Sequence, residues 1–239
     1  MITLFRPDIV MHLAAETDVD LCEVNPEHAY KTNTMGTLNV ALNCRSKNID
    51  MVYISTLGVF DGNKVEPYNE FDEPNPINQY GKAKYEGEKI VERLLSNHYI
   101  VRAGWMIGGG PLEDKKFVSK IIDQIDKVSP ILAVSDKIGT PTYTYDFSKV
   151  ICELIKTPYY GLYHCTSKGV CTRYDVALKI LECMGRPDYP VKMVSSAHFP
   201  LAAPRPRCEA SVNYKLQMLG LDTTRQWDIA LKEYIKNFW

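Results

Sequence analysis

The sequence predicts an α/β fold built on a mainly parallel sheet. Short apolar runs alternate with helical amphipathic patterns along the chain, the signature of strand–helix–strand units. The first run, residues 8–15 (D-I-V-M-H-L-A-A), is almost continuously apolar, as a strand covered on both faces would be. Small or hydroxyl residues end the runs (Ala14 and Ala15, Thr56, Gly104), at the strand ends where open α/β sheets bind ligands.

The elements follow in order. After the 8–15 strand and Glu16-Thr17-Asp18, a helix is expected over 29–45, with Asn33 an unusual mid-helix residue able to bond nearby backbone. Residues 51–55 (M-V-Y-I-S) form the second strand, and 57–62 a hairpin-like turn. A Pro/Asn-rich loop precedes a helix over 80–95, in which Ala83, Ile90, Val91, Leu94 and Leu95 recur at helical spacing. A third strand covers 98–102. Gly108-Gly109-Gly110 then breaks the chain, without the spacing of a phosphate-binding loop, before a helix over 116–126. Strands at 131–134, 160–165 and 189–194 alternate with helices over 145–155, capped near Thr144, and 172–184, capped by Thr172. Helical patterns near 214–219 and 224–238 close the chain. Two portions are expected: residues 1–107 as the sheet core, and 108–239 as a less regular portion interleaved with it.

Composition narrows the function. The chain has 239 residues, 45% of them apolar, and a net charge of −1, which leaves no electrostatic footprint for nucleic acid or an anionic membrane. No apolar run is long enough to cross a bilayer. The seven Cys are scattered without Cys-x-x-Cys spacing, so they read as buried thiols of a reducing compartment, the cytoplasm. Five dispersed His suggest no metal site, and His12 reads as a core or backbone-bonded residue.

The chemistry centres on Tyr80-Gly-Lys-Ala-Lys84. Residues four apart on a helix share a face, so the Tyr80 hydroxyl and Lys84 ammonium can address one spot. A nearby cation would lower the phenol's pKa and fit it to protonate a carbonyl oxygen while hydride reaches the carbon. The same spacing recurs at Tyr85/Lys89 and Tyr145/Lys149. Only Tyr80 follows a strand ending in Ser55-Thr56.

Taken together, residues 13–20 (L-A-A-E-T-D-V-D), Asn33, 54–62 (I-S-T-L-G-V-F-D-G), 80–84, 101–105 (V-R-A-G-W) and Arg205-Pro206 resemble the extended short-chain dehydrogenase/reductases, most of all the dTDP-4-dehydrorhamnose reductases. The resemblance implies a Rossmann-like core, NADPH or NADH as cofactor, and reduction of the C4 ketone of a nucleotide-linked 4-keto-6-deoxy sugar. It makes Tyr80 the proton donor, Lys84 the ribose-holding cation, and Thr56 a ligand of the substrate oxygen. It places Ala14, Ala15, Thr17 and Asn33 along the cofactor, and Leu57, Trp105 and Arg205 along the substrate, with Arg205 facing the phosphates. A homodimer through the 29–45 and 80–95 helices is compatible with it.

Two departures stand out. The family usually has Asp-Tyr where Leu57-Gly58 stands here, so a substrate hydrogen bond and an aromatic wall are expected to be lost. No Gly-rich turn of the G-x-x-G-x-x-G type occurs, and the N-terminal βα units, roughly sixty residues at about thirty per βαβ unit, are expected to be missing. Two alternatives follow: a 4-epimerase of the same superfamily, or a non-catalytic binding module similar to the β subunit of methionine adenosyltransferase.

Overall fold

The computed structural model describes residues 2–239. A short helix α1 (Ile2–Phe5) leads into β1 (Ile9–His12). Helices α2 (Val19–Val24) and α3 (Pro26–Ala29) run into a π-helical turn (Tyr30–Met35) and then α4 (Gly36–Lys47). β2 (Asp50–Thr56), α5 (Gln79–Leu94) and β3 (His98–Ala103) follow.

Past β3 the elements shorten. They are β4 (Trp105–Ile107), α6 (Gly110–Glu113), α7 (Phe117–Ile122), β5 (Ile131–Val134), β6 (Ile138–Gly139) and β7 (Pro141–Tyr143). Next come α8 (Thr144–Leu154), β8 (Gly161–Cys165), β9 (Cys171–Thr172), α9 (Arg173–Cys183) and β10 (Val191–Val194). β11 (Cys208–Glu209), α10 (Tyr214–Met218) and α11 (Trp227–Phe238) complete the chain.

The main sheet is parallel, in the order β1-β2-β3-β8. Its inner strands alternate between two buried faces, as the period of two requires. Met51, Tyr53 and Ile100 meet Ala41 and Cys44 of α4 and Val91 of α5. Val52, Tyr99 and Val101 meet Phe147, Val150, Ile151 and Leu154 of α8 and Leu216 of α10. Each such aliphatic side chain contributes about 1.5–3 kcal/mol by leaving water. A second core joins Ile131 and Ala133 of β5 to Val176 and Ile180 of α9 and Leu231 and Ile235 of α11.

The strand over 8–15 is shorter than expected. β1 stops at His12 and lies at the sheet edge; Ile9 and Val10 pack on opposite cores, while Met11 is 42% exposed. The 29–45 helix is also not uniform, because the π turn widens it around Asn33. Thr172 caps α9 as expected, in a reciprocal capping box with Asp175. The α8 cap falls on Tyr143, without a side-chain bond. The cysteines are all free; five are buried, Cys183 is half-buried and Cys152 is exposed. Among the described residues, no helix is long and apolar enough to cross a membrane.

Candidate active site

Thr56 ends β2 opposite Ala103 of β3, so its hydroxyl stands at the C-terminal edge of the main sheet. There Thr56 Oγ1 accepts the Gly58 N–H at 3.0 Å, leaving the hydroxyl proton to point elsewhere. α5 starts above this edge. Asn78 caps it by accepting the Gly81 N–H at 2.8 Å, and its amide donates to the Pro204 carbonyl at 2.9 Å. Gly81 lets the helix come down onto the strand end: a Cβ there would lie 2.2 Å from the Gly58 carbonyl oxygen. This close approach carries Tyr80 to Thr56.

Tyr80 is half-buried and packs with Cys22, Ala29, Tyr30 and Ala83. Burial pushes its pKa up to about 12; the Thr56 hydroxyl pulls it down, while the charges of Cys22 and Glu209 add to the rise. Lys84 is not a cause of the shift, which corrects the expectation that its charge acidifies the phenol. Its ammonium turns to the Ile54 carbonyl at 2.7 Å and lies 4.1 Å from the centre of the Tyr53 ring. Desolvation lowers the Lys84 pKa to about 7, opposed by Glu88 one turn further on. Glu88 is held in turn by a buried bidentate pair with Arg102, at 2.6 and 2.9 Å, and by the Ser55 hydroxyl.

The other Tyr-x-x-x-Lys pairs stand apart from this site. Lys89 covers the Tyr85 ring and pairs with Glu86, and Lys149 covers the exposed Tyr145 ring. His12 is buried, as expected of a core residue, but its Nε2 bonds to the Thr37 hydroxyl at 3.0 Å and not to backbone.

The expected cofactor residues divide. Ala14, Ala15 and Thr17 follow the end of β1, where Ala14 and Thr17 are exposed and Ala15 half-buried. Asn33 is buried, and both ends of its amide bind the Glu16 backbone: Oδ1 accepts Glu16 N–H at 2.8 Å and Nδ2 donates to Glu16 carbonyl at 3.0 Å. These bonds fix the loop carrying Ala14–Thr17, the residues expected along the cofactor. The residues present fit the nicotinamide ribose of a dinucleotide: Lys84 has three ammonium donors, of which one bonds to protein among the described residues, so donors remain for a ribose hydroxyl.

Two residues expected along the substrate are engaged with protein. Leu57 faces inward, 1% exposed, in a cluster with Val59, Phe60 and Tyr68, because a 3₁₀ turn over Leu57–Val59 follows the strand. Arg205 is tied to Asp20 at 2.8 Å and to the Ala203 carbonyl at 2.8 Å, so it fastens the tail to α2. Trp105 does stand beside the site, but the Arg173 guanidinium lies 3.6 Å from its ring centre. The indole N–H donates to Glu209 at 3.0 Å.

Sequence reasoning missed Arg173 and Glu209. A cation at the first position of a helix opposes the helix dipole, and that oddity was available for Arg173. Glu209 sits on a two-residue strand too short for any periodicity to mark. A polar hollow lined by Cys44, Asn48, Glu92 and Asn97 lies at the other end of the sheet, where β2 and β3 begin. It contains none of these residues, and the converging strand ends mark the better site.

Residues 1–239 match the family described as the RmlD substrate binding domain. The chain belongs to that family. Among curated relatives, the spore coat polysaccharide biosynthesis protein SpsK of Bacillus subtilis is 32% identical over 97% of this chain and 80% of its own. A dTDP-4-dehydrorhamnose reductase structure from Clostridium acetobutylicum superposes with TM-score 0.94 at 39% identity, covering 99% of this chain and 82% of that one. The Bacillus anthracis dTDP-4-dehydrorhamnose reductase, solved in complex with NADP, superposes with TM-score 0.92 at 35% identity, covering 99% and 83%. The RmlD-family chain thus has the Rossmann-like parallel sheet of these reductases, with Thr56, Tyr80 and Lys84 at its C-terminal edge.

Proposed function

We propose that this chain reduces the C4 ketone of a nucleotide-linked 4-keto-6-deoxy sugar, as a dTDP-4-dehydrorhamnose reductase does, using NADPH. The observation that carries the reading is one strand end, Thr56, with one helix start, Tyr80 to Lys84, set over it by the Gly81–Gly58 approach. The similar reductase solved with NADP favours NADPH over NADH.

The chain's own groups have distinct roles. Thr56 donates its hydroxyl hydrogen to the substrate oxygen and orients the phenol. Tyr80, with its pKa raised, keeps its proton through neutral pH and transfers it to the ketone oxygen as that oxygen gains charge. Lys84 presents its remaining donors to the nicotinamide ribose, and Ala14, Ala15 and Thr17 line the dinucleotide. The reduced nicotinamide, when bound, supplies the hydride. Ketone, hydride and phenolic proton together give the alcohol, and solvent reprotonates Tyr80.

In this reading residues 1–107 carry the cofactor and 108–239 mainly the sugar nucleotide, with α8 and β8 returning to the main sheet. The outer face of the π turn and α4, where Met35 and Leu42 are exposed, suits a homodimer contact, and the free thiols suit the cytoplasm.

The test is substrate-dependent oxidation of NADPH by the purified chain, followed by absorbance. Oxidation that requires a dTDP-linked 4-keto-6-deoxy sugar, and falls at least about a hundredfold in Tyr80→Phe, supports the reading. Saturable NADPH binding by the folded chain without turnover would refute it and leave a binding module.

A further inference from the structure

A second polar wall stands beside the acid–base pair, and the proton transfer from Tyr80 makes no use of it. β11 places Glu209 opposite Gly139 of β6, and Oε2 of Glu209 is fixed by the Trp105 indole N–H at 3.0 Å. The other oxygen, Oε1, has no protein hydrogen bond among the described residues. It faces the space that a side chain at position 58 would fill: a Cβ built on Gly58 would lie 3.6 Å from Glu209 Oε1 and 3.3 Å from Thr56 Oγ1. The carboxylate is near enough to Tyr80 for its charge to act on the phenol. Arg173 stacks on the far partner, Trp105, at 3.6 Å and makes no ion pair with Glu209 among the described residues. A carboxylate held at one oxygen, open at the other, and next to the hydroxyl that meets the ketone is an acceptor awaiting a donor.

We propose that Glu209 reads the sugar by accepting a hydrogen bond from the hydroxyl on the ring carbon next to the reacting ketone. This rests on the reductase reading above. In a 4-keto-6-deoxy sugar the C5 neighbour carries only a methyl group, so the hydroxyl is that of C3. Leu57 is turned into the core and Gly58 has no side chain, so the turn after β2 offers no side-chain acceptor there. Glu209 supplies one from the opposite wall. Trp105 positions the carboxylate, and Arg173 holds the indole.

The test compares dissociation constants of a dTDP-linked hexose and its 3-deoxy counterpart, with the chain saturated in NADP. Wild type is expected to bind the hydroxylated sugar at least about tenfold more tightly, the factor that a hydrogen bond to a charged acceptor confers. Glu209→Ala should bind both within about threefold, since the acceptor is gone. Glu209→Gln keeps the size of the side chain and an amide oxygen for the Trp105 N–H. It should fold normally and discriminate less than wild type. Trp105→Phe, which leaves Glu209 in place, should retain part of the preference. Equal preference in wild type and Glu209→Ala would overturn the assignment, as would a complete loss in Trp105→Phe with none in Glu209→Gln. If wild type binds both sugars without discrimination, only this inference falls. If it binds neither, the reductase reading falls with it.

Discussion

Replacing Arg102 by Met should unfold this protein more readily than any surface change, although Arg102 touches no ligand. Arg102 is 2% exposed and grips Glu88 through Nε at 2.9 Å and Nη2 at 2.6 Å, over the Phe60 ring. Removing the guanidinium leaves Glu88 buried with the Ser55 hydroxyl and the charge of Lys84 for company. Breaking a buried pair from one side costs about 3–5 kcal/mol, because the remaining charge is desolvated without its partner. For a chain of this size that is a fall in Tm of roughly 6–20 °C. Urea unfolding should show the loss as a lower midpoint with an unchanged slope. The double change Glu88→Met with Arg102→Met should recover most of the stability, since apolar replacement of a buried pair is often neutral. A loss under about 1 kcal/mol in Arg102→Met, or a double variant as unstable as the sum of the singles, would refute the reasoning.

Two further outcomes follow from the same region. Lys84 binds its proton more weakly when folded, with a pKa of about 7 against an ordinary 10.5, so the unfolded chain holds more protons between those values and stability should rise with pH across that window. Lys84→Met should flatten that rise in thermal melts between about pH 7 and pH 10, and an unchanged slope would contradict the buried ammonium. Gly81→Ala would set a methyl 2.2 Å from the Gly58 carbonyl oxygen. It should push α5 off the strand end and cost activity about tenfold or more, as misplacement of a catalytic group does; wild-type turnover in a folded variant would show that the approach is not needed.

The long elements are legible in the sequence because each is long enough to show a period. The strands over 51–55, 98–102 and 131–134 and the helix over 80–95 appear within a residue or so of their expected limits. The strands β4, β6, β7, β9 and β11 are not legible, because two or three residues cannot display alternation, and they build the wall that carries Trp105 and Glu209. Thr56, Tyr80 and Lys84 can be read because one strand and the next helix bring them together. Arg205 cannot, because its partner Asp20 is 185 residues away. Asn33 is conspicuous at mid-helix, but what its amide binds is the Glu16 backbone, 17 residues back, and no local pattern names that partner. The burial of Leu57 is not legible, because it depends on the 3₁₀ turn after the strand and on Phe60 and Tyr68 folding over it.

In the proposed reaction, hydride reaches the sugar carbon whose oxygen Tyr80 protonates. The most direct test gives the chain NADPH labelled with deuterium at C4 of the dihydronicotinamide, together with dTDP-4-dehydrorhamnose, and reads the product by NMR. One deuterium at C4 of the sugar is expected, with loss of label transfer in Tyr80→Phe and retained NADPH binding in that variant. A folded chain that binds NADPH yet leaves C4 unlabelled, or a Tyr80→Phe variant that transfers the label at the wild-type rate, would contradict it.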